Sequence, residues 1–168
     1  IEALRQELTR YYIRLGYINS GVLLPAAAIR DGVLRFKVVE GRIGEVRIRG
    51  LDALFPAYLA ERLARADEVF NLNLLQERLQ VLLTDPLFGR LNARVVPGAA
   101  LGLAALDVDA VEARRYQLST LVNNYQPPST GKYLAGVQGE LRNLTGFGDA
   151  LSVAVQGSNG QTGYNLGW

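Results

Sequence analysis

The last third of the chain, Tyr116 to Trp168, constrains the fold most. It holds three runs that alternate with a period of two residues, the pattern of strands with one apolar face. In the first, Tyr116, Leu118, Thr120 and Val122 oppose Gln117, Ser119 and Asn123. In the second, Tyr133, Ala135, Val137 and Leu141 oppose Gln138, Glu140 and Arg142. In the third, Leu151, Val153 and Val155 oppose Ser152 and Gln156. Pro127-Pro128-Ser129-Thr130-Gly131 separates the first two runs and Gly146-Phe147-Gly148-Asp149 the next two. Both are turn chemistry, since Pro presets φ and Gly accepts a positive one. Such ribbons suit the wall of a membrane barrel, with lipid on one face and water on the other. They suit equally an antiparallel sheet lying on a soluble core, and alternation alone leaves both readings open.

Composition narrows the chemistry. The chain has no Cys, His or Met, which removes thiol nucleophiles, imidazole bases and most zinc, copper and haem ligation. Absence of Cys suits an oxidising compartment such as the periplasm and is compatible with the cytosol as well. Net charge is only +2 and no basic run makes a nucleic-acid footprint. No apolar run has the length of a membrane helix. Ile1 enters in the middle of a helical pattern, so a fragment of a longer protein is expected.

Upstream of Arg115 the periods alternate. Leu4, Leu8, Tyr11, Tyr12 and Leu15 mark one face of a helix over 2–15, which Gly16 stops. Ile18–Leu24 reads as a strand ended by Pro25. A loop closing on the turn pair Asp31-Gly32 leads to a strand over 33–40, with Leu34, Phe36 and Val38 against Arg35 and Lys37. Val46 and Ile48 alternate with Glu45, Arg47 and Arg49 in a further strand. A helix over 56–65 begins on Pro56, tolerated in the first turn. Asn73 is positioned to cap a longer helix, with Gln76 three residues on and Leu75, Leu79, Leu82 and Leu83 as its buried stripe. Asp85-Pro86 ends it. Strands follow at about 91–96 and 103–111.

These elements repeat. Helix, strand, strand recurs at an offset of about 70 residues, and the second copy has a strand and a helix in front. By that template the first copy lacks its opening strand and helix. The expected fold class is α+β: strand-helix-helix-strand-strand units, the first truncated, then antiparallel strands.

The order of elements and the local wording resemble the POTRA domains of outer-membrane transporters, specifically two-partner secretion transporters of the haemolysin-activator type. LPAAAIRDGVLRFKVVEGRIGEVRIRG resembles the end of their first POTRA domain and the start of the second. LLQERLQVLLTDPLFGRLNARVVPGAALGLAALDVDA resembles the rest of the second. NNYQPPSTGKYLAGVQGELRNLTGFGDAL resembles the opening barrel hairpin, with its Asn-Leu-Thr-Gly-x-Gly-Asp turn. One departure is Ala27 in LPAAA, where Gln is expected. The resemblance implies the end of one POTRA domain at 1–41, a second at 42–114, and the first three to four strands of an outer-membrane β-barrel at 115–168. It implies a non-enzymatic transporter without cofactor, its POTRA domains in the periplasm, its partners a secreted exoprotein and outer-membrane lipid. Neither nucleic acid nor a small-molecule substrate is expected. An assembly factor that inserts barrels into the outer membrane, built from the same parts, is the alternative.

A small open sheet offers an edge to which an extended chain can add as one more strand. The candidate edges are Ile18, Asn19, Ser20, Gly21, Val22 and Leu23 in the first unit, and Leu91, Asn92, Ala93, Arg94 and Val95 in the second. Gln138, Glu140 and Arg142 are the candidate lumen residues. Arg62, Arg65 and Arg78 read either as client contacts or as a solvated helix face, and Tyr116, Tyr133 and Trp168 as a membrane-surface girdle or as core. Ser129-Thr130-Gly131-Lys132 is no phosphate loop, because Gln126 stands where that motif needs Gly and Tyr133 where it needs Ser or Thr. Asn143-Leu144-Thr145 is a glycosylation sequon by spelling only. Asp107 and Asp109 share a strand face without a third catalytic group, which reads as an exposed face.

Overall fold

The alternation of Val46 and Ile48 with three charged residues gives one strand an apolar and a polar face. A computed structural model shows it as β5 (Arg42–Arg49), in a three-stranded sheet with β6 (Phe88–Pro97) and β7 (Leu103–Glu112). The model describes every residue other than Ala27, Asp31, Ala66 and Thr130, and Arg30 by its backbone alone. The departure at Ala27, half of the Asp31-Gly32 pair and part of the 127–131 turn therefore lie outside the described residues.

Strand β7 is central, parallel to β5 and antiparallel to β6. Leu106, Val108 and Ala110 on one side of β7 are buried against two helices, α2 (Pro56–Leu63) and α3 (Leu72–Leu83). Those helices supply Leu59, Leu63, Leu75 and Leu82 to the same core, and β6 supplies Phe88 and Leu91. Burying each such side chain is worth about 1.5–3 kcal/mol, so this layer holds the second unit together. The expected helix over 56–65 ends at Leu63, where Arg78 Nη1 takes the Leu63 carbonyl (3.2 Å) and its other nitrogen meets Glu68 (2.9 Å). Leu83, expected in the buried stripe, is exposed, because the stripe runs through Leu75, Leu79 and Leu82 and Leu83 lies one step beyond it on the turn. Asn71, not Asn73, caps α3: its Oδ1 accepts from the Asn73 and Leu74 amides at 2.9 and 3.4 Å.

The first unit is smaller. Helix α1 (Glu2–Arg14) packs on β1 (Gly21–Leu23), which pairs with β4 (Lys37–Val39). The expected strand over Ile18–Leu24 is thus only its middle, and Ile18, Asn19 and Ser20 form a turn fastened to the next unit. The expected strand over 33–40 is two pieces, β3 (Val33–Leu34) and β4, because β3 folds back on β2 (Ile29–Arg30) as a separate hairpin. The predicted helix face is also rotated. Leu4, Leu8, Tyr11 and Leu15 are exposed, while Arg5, Thr9 and Tyr12 turn inward. A two-stranded sheet offers a narrow seat, and Arg5 and Thr9 take it by hydrogen-bonding β1.

The last four strands, β8 (Tyr116–Asn123), β9 (Leu134–Arg142), β10 (Ala150–Gly157) and β11 (Thr162–Gly167), form a separate antiparallel meander. Among the described residues, the core running from Ile43 to Ala110 takes none from it. A sheet folded over a shared dry interior with the helices is therefore excluded.

The two units meet at Asn71. While its oxygen caps α3, its Nδ2 donates to the Leu15 carbonyl at the end of α1 (2.9 Å). We predict that Asn71→Ala costs about 2 kcal/mol in urea denaturation, and that Asn71→Ser, which still caps, recovers about half of it.

Candidate functional site

Strand β6 pairs only with β7 among the described residues, so its other side presents unpaired backbone groups. Leu91, Ala93 and Val95 stand opposite Ala110, Val108 and Leu106 and face the core. Asn92 and Arg94 stand opposite Asp109 and Asp107 on the open face. There Asp107 lies between Arg94 and Arg47 in register and 3.6 Å from the Arg47 guanidinium. Asp107 and Asp109 thus belong to a cross-strand charge ladder on an exposed face. Helix α3 runs beside β6 and leaves Val81 and Leu83 exposed.

The edge at 18–23 is differently placed. Thr9 Oγ1 accepts from the Val22 amide (3.1 Å) and Arg5 Nη1 donates to the Val22 carbonyl (3.1 Å). Helix α1 therefore occupies the strand groups that Val22 would offer a newcomer. Ser20 is buried with its Oγ accepting from the Gly41 amide (2.9 Å), and Asn19 Nδ2 reaches the Arg42 carbonyl (3.4 Å). Gly21 and Leu23 pair with Val39 and Lys37.

A second constellation joins the helical layer to the meander. Strand β7 ends on Glu112, whose Oε1 accepts three backbone amides, from Asp52 (2.9 Å), Ala53 (3.0 Å) and Leu54 (2.8 Å). Burial pulls this carboxyl upward, but the three amides and nearby Arg115 together hold it below the ordinary Glu value. The loop so fixed leads into α2, and the Phe55 amide donates to the Gly146 carbonyl (3.1 Å) in the β9–β10 turn. Phe55 and Phe147 stack with centroids 4.9 Å apart. Gly146 and Gly148 have φ of +94° and +82°, and a Cβ on them would lie 2.7 Å from the Phe55 ring and 2.8 Å from the Tyr58 ring. Only glycine meets both demands. Asn143, 2% exposed at φ +55°, accepts from the Gly148 amide through Oδ1, while its carbonyl takes Arg115 Nη2 (2.6 Å). Asp149 Oδ1 closes the turn on the Thr145 amide and hydroxyl (2.9 and 2.7 Å).

Register divides the meander into two faces. Gln117, Ser119, Gln138, Glu140, Arg142, Ser152 and Gln156 share one face with Gly136, Ala154 and Gly163, and with two leucines, Leu121 and Leu134. On it Arg142 pairs with Glu140 (2.8 Å) and reaches Gln117 Oε1 (2.7 Å). The opposite face carries Leu118, Val122, Val137, Val153, Val155, Tyr164 and Leu166, all exposed. Tyr116, Leu141 and Leu151 form one row across it, and Trp168, one residue past the Ser152–Gly167 pair, continues the row. Tyr133 precedes β9 at the other end. An apolar face without cover from the described residues, beside a mainly polar and small-residue face, fits the barrel-wall alternative better than the core sheet.

Comparison with known proteins agrees. The family described as "POTRA domain, ShlB-type" matches residues 1–41. The heme/hemopexin transporter protein HuxB of Haemophilus influenzae is 26% identical over 159 residues, which is 93% of this chain and 28% of that protein. The outer membrane transporter CdiB of Escherichia coli is 28% identical over 92% of this chain and 25% of its own length. The solved CdiB structure from Escherichia coli superposes with a TM-score of 0.70 at 24% identity, covering 98% of this chain and 31% of that one. The chain is similar to two-partner secretion transporters along nearly its whole length. It spans about a quarter of the length of these curated relatives. Their names are those of transporters, in agreement with a non-enzymatic protein. BamA from Haemophilus ducreyi lacking POTRA domains 1–3 shares the fold, with a TM-score of 0.66 at 12% identity.

The expected strand over Leu91–Val95 lies at a sheet edge and the alternating runs give two unlike faces, whereas the joint carried no signal in the sequence. Glu112 gave no signal, because its partners lie about 60 residues away and are backbone amides. The Asn143–Asp149 wording was visible only as a turn. Arg78 and Arg62 are structural: Arg78 ends α2, and Arg62 lies over the Tyr58 ring at 3.5 Å. Glu112→Ala is expected to cost about 2–3 kcal/mol by orphaning charge-assisted bonds, with Glu112→Gln milder. Since the folded pKa is the lower one, the clasp contributes fully above the ordinary Glu range and fades as pH falls through the lowered value. Hydrogen-exchange protection at residues 52–54, relative to the intrinsic rate at each pH, is expected to be high at neutral pH and to fall only in acid, which checks this.

Proposed function

We propose that this chain is the receiving end of a two-partner secretion transporter. Residues 1–41 and 42–114 act as periplasmic POTRA modules, and 115–168 as the first strands of an outer-membrane barrel. An exported polypeptide, extended in the periplasm, adds to the free side of β6, and its backbone pairs with the strand from Leu91 to Val95. Side chains of the client alternate between the exposed apolar groups of α3 and the charge ladder of Arg94, Asp107 and Arg47. The polar face bearing Gln138, Glu140 and Arg142 lines the path onward, and the opposite face meets lipid. The observation that carries this reading is an unpaired strand edge on a unit joined by three residues to an amphipathic, one-sided wall. The names of the relatives, transporters rather than assembly factors, favour secretion over barrel insertion. Segment Ile18–Leu23 is a conditional second edge, since a client there has to displace Arg5 and Thr9 from Val22.

Photo-crosslinkers at Asn92 and Arg94 of the full transporter are expected to capture the secreted partner. One at Val22 captures it only after Arg5→Ala and Thr9→Ala. Absence of adducts at both β6 positions, with secretion intact, removes the edge from the proposal.

A further inference from the structure

The β9–β10 turn does more than reverse the chain. In a meander, a turn needs only two strand ends and permissive residues between them. This one has seven residues, Asn143 to Asp149, and each contact described above aims at the POTRA unit or stiffens the turn for it. Gly146 offers its carbonyl to the Phe55 amide (3.1 Å), and Phe147 lies on Phe55. Gly148 leaves room for Tyr58 and Leu87. Arg115, from the linker between the two sheets, holds the Asn143 carbonyl (2.6 Å). Its own carbonyl accepts from the Arg142 amide (2.6 Å). On the other side Glu112 fixes the receiving loop through three amides, and the Ala113 amide donates to the Leu87 carbonyl (2.8 Å). The linker of Ala113, Arg114 and Arg115 is thus tied at both ends, and a third tether, through Phe55 and Gly146, stands apart from it.

Two bodies joined at one linker can swing; joined at a second, separate point they cannot without breaking contacts. We infer that the Asn143–Asp149 turn is a bracket that fixes the angle between the second POTRA unit and the barrel wall, and that it stays closed while a client passes. The β6 edge then points at the pore in one constant direction. Handover requires the client to move along the edge, not the unit to rotate. The part concerning passage rests on the transport reading above; the bracket itself does not.

Phe55 and Phe147 are 49% and 68% exposed, so replacing them leaves the core of either body intact. In the full transporter, spin labels at Glu77 on α3 and Gln161 beyond β10 are expected to give one narrow distance distribution. The combined variant Phe55→Ser, Phe147→Ser, Arg115→Ala is expected to lose it for a broad one, with the barrel still folded by its heat-modifiable migration. A wild-type distribution as broad as the variant's, or a variant that stays narrow, overturns the bracket. Phe55→Cys and Phe147→Cys joined by a short thiol crosslinker then test passage. Secretion unchanged on crosslinking supports a bracket that stays shut. Secretion lost on crosslinking, but normal in the same variant before it, overturns that part alone. Secretion of no partner even by the unsubstituted transporter counts against the transport reading and leaves the distance result standing.

Discussion

A single carboxylate oxygen accepting three consecutive backbone amides holds this molecule's two halves in relation. Glu112 closes the central strand of the sheet, and the loop it gathers sets the start of α2. That start, at Phe55, is where the strand meander makes its contact. Charge-assisted bonds to backbone are among the stronger ones available at a partly exposed site. Here three converge on one atom, which leaves the loop little freedom.

The halves themselves depend on different solvents. The 42–112 layer buries its apolar side chains against its own helices. The meander buries almost none among the described residues, and its apolar face is exposed over most of its extent, with Leu141 and Leu151 half-buried. A sheet of that kind is stable only where something apolar lies against it, which a bilayer supplies. The division explains why a three-residue linker suffices. Neither half needs the other for its core, so their contact is local: a few hydrogen bonds beside one pair of stacked rings.

Legibility in the sequence followed the range of the interactions. Period two in 116–156 and 45–49, and helical spacing in 56–65 and 73–84, report burial on one face, a local property, and the structure shifts the bounds of these elements by a few residues. Helix α1 misled, because its Leu4, Leu8, Tyr11 and Leu15 spacing is a proper apolar stripe, yet the seat beneath it is won by Arg5 and Thr9 through hydrogen bonds to Val22. The cap on α3 was misplaced by two residues because Asn71 and Asn73 are equally good cap residues. What decides between them is Leu15, in another unit. The joint was invisible for the same reason: Glu112, Phe55 and Gly146 meet only through tertiary structure.

The row formed by Tyr116, Leu141, Leu151 and Trp168 carries a consequence for depth. Aromatic rings at the ends of such a row prefer the headgroup level, so on the barrel reading proposed above the row marks a waterline for the wall. Everything rigidly suspended from the strands takes its altitude from that line. On the transport and bracket readings proposed above, the depth of the β6 edge below the leaflet follows lipid thickness, and a bilayer of different thickness raises or lowers both bodies as one piece.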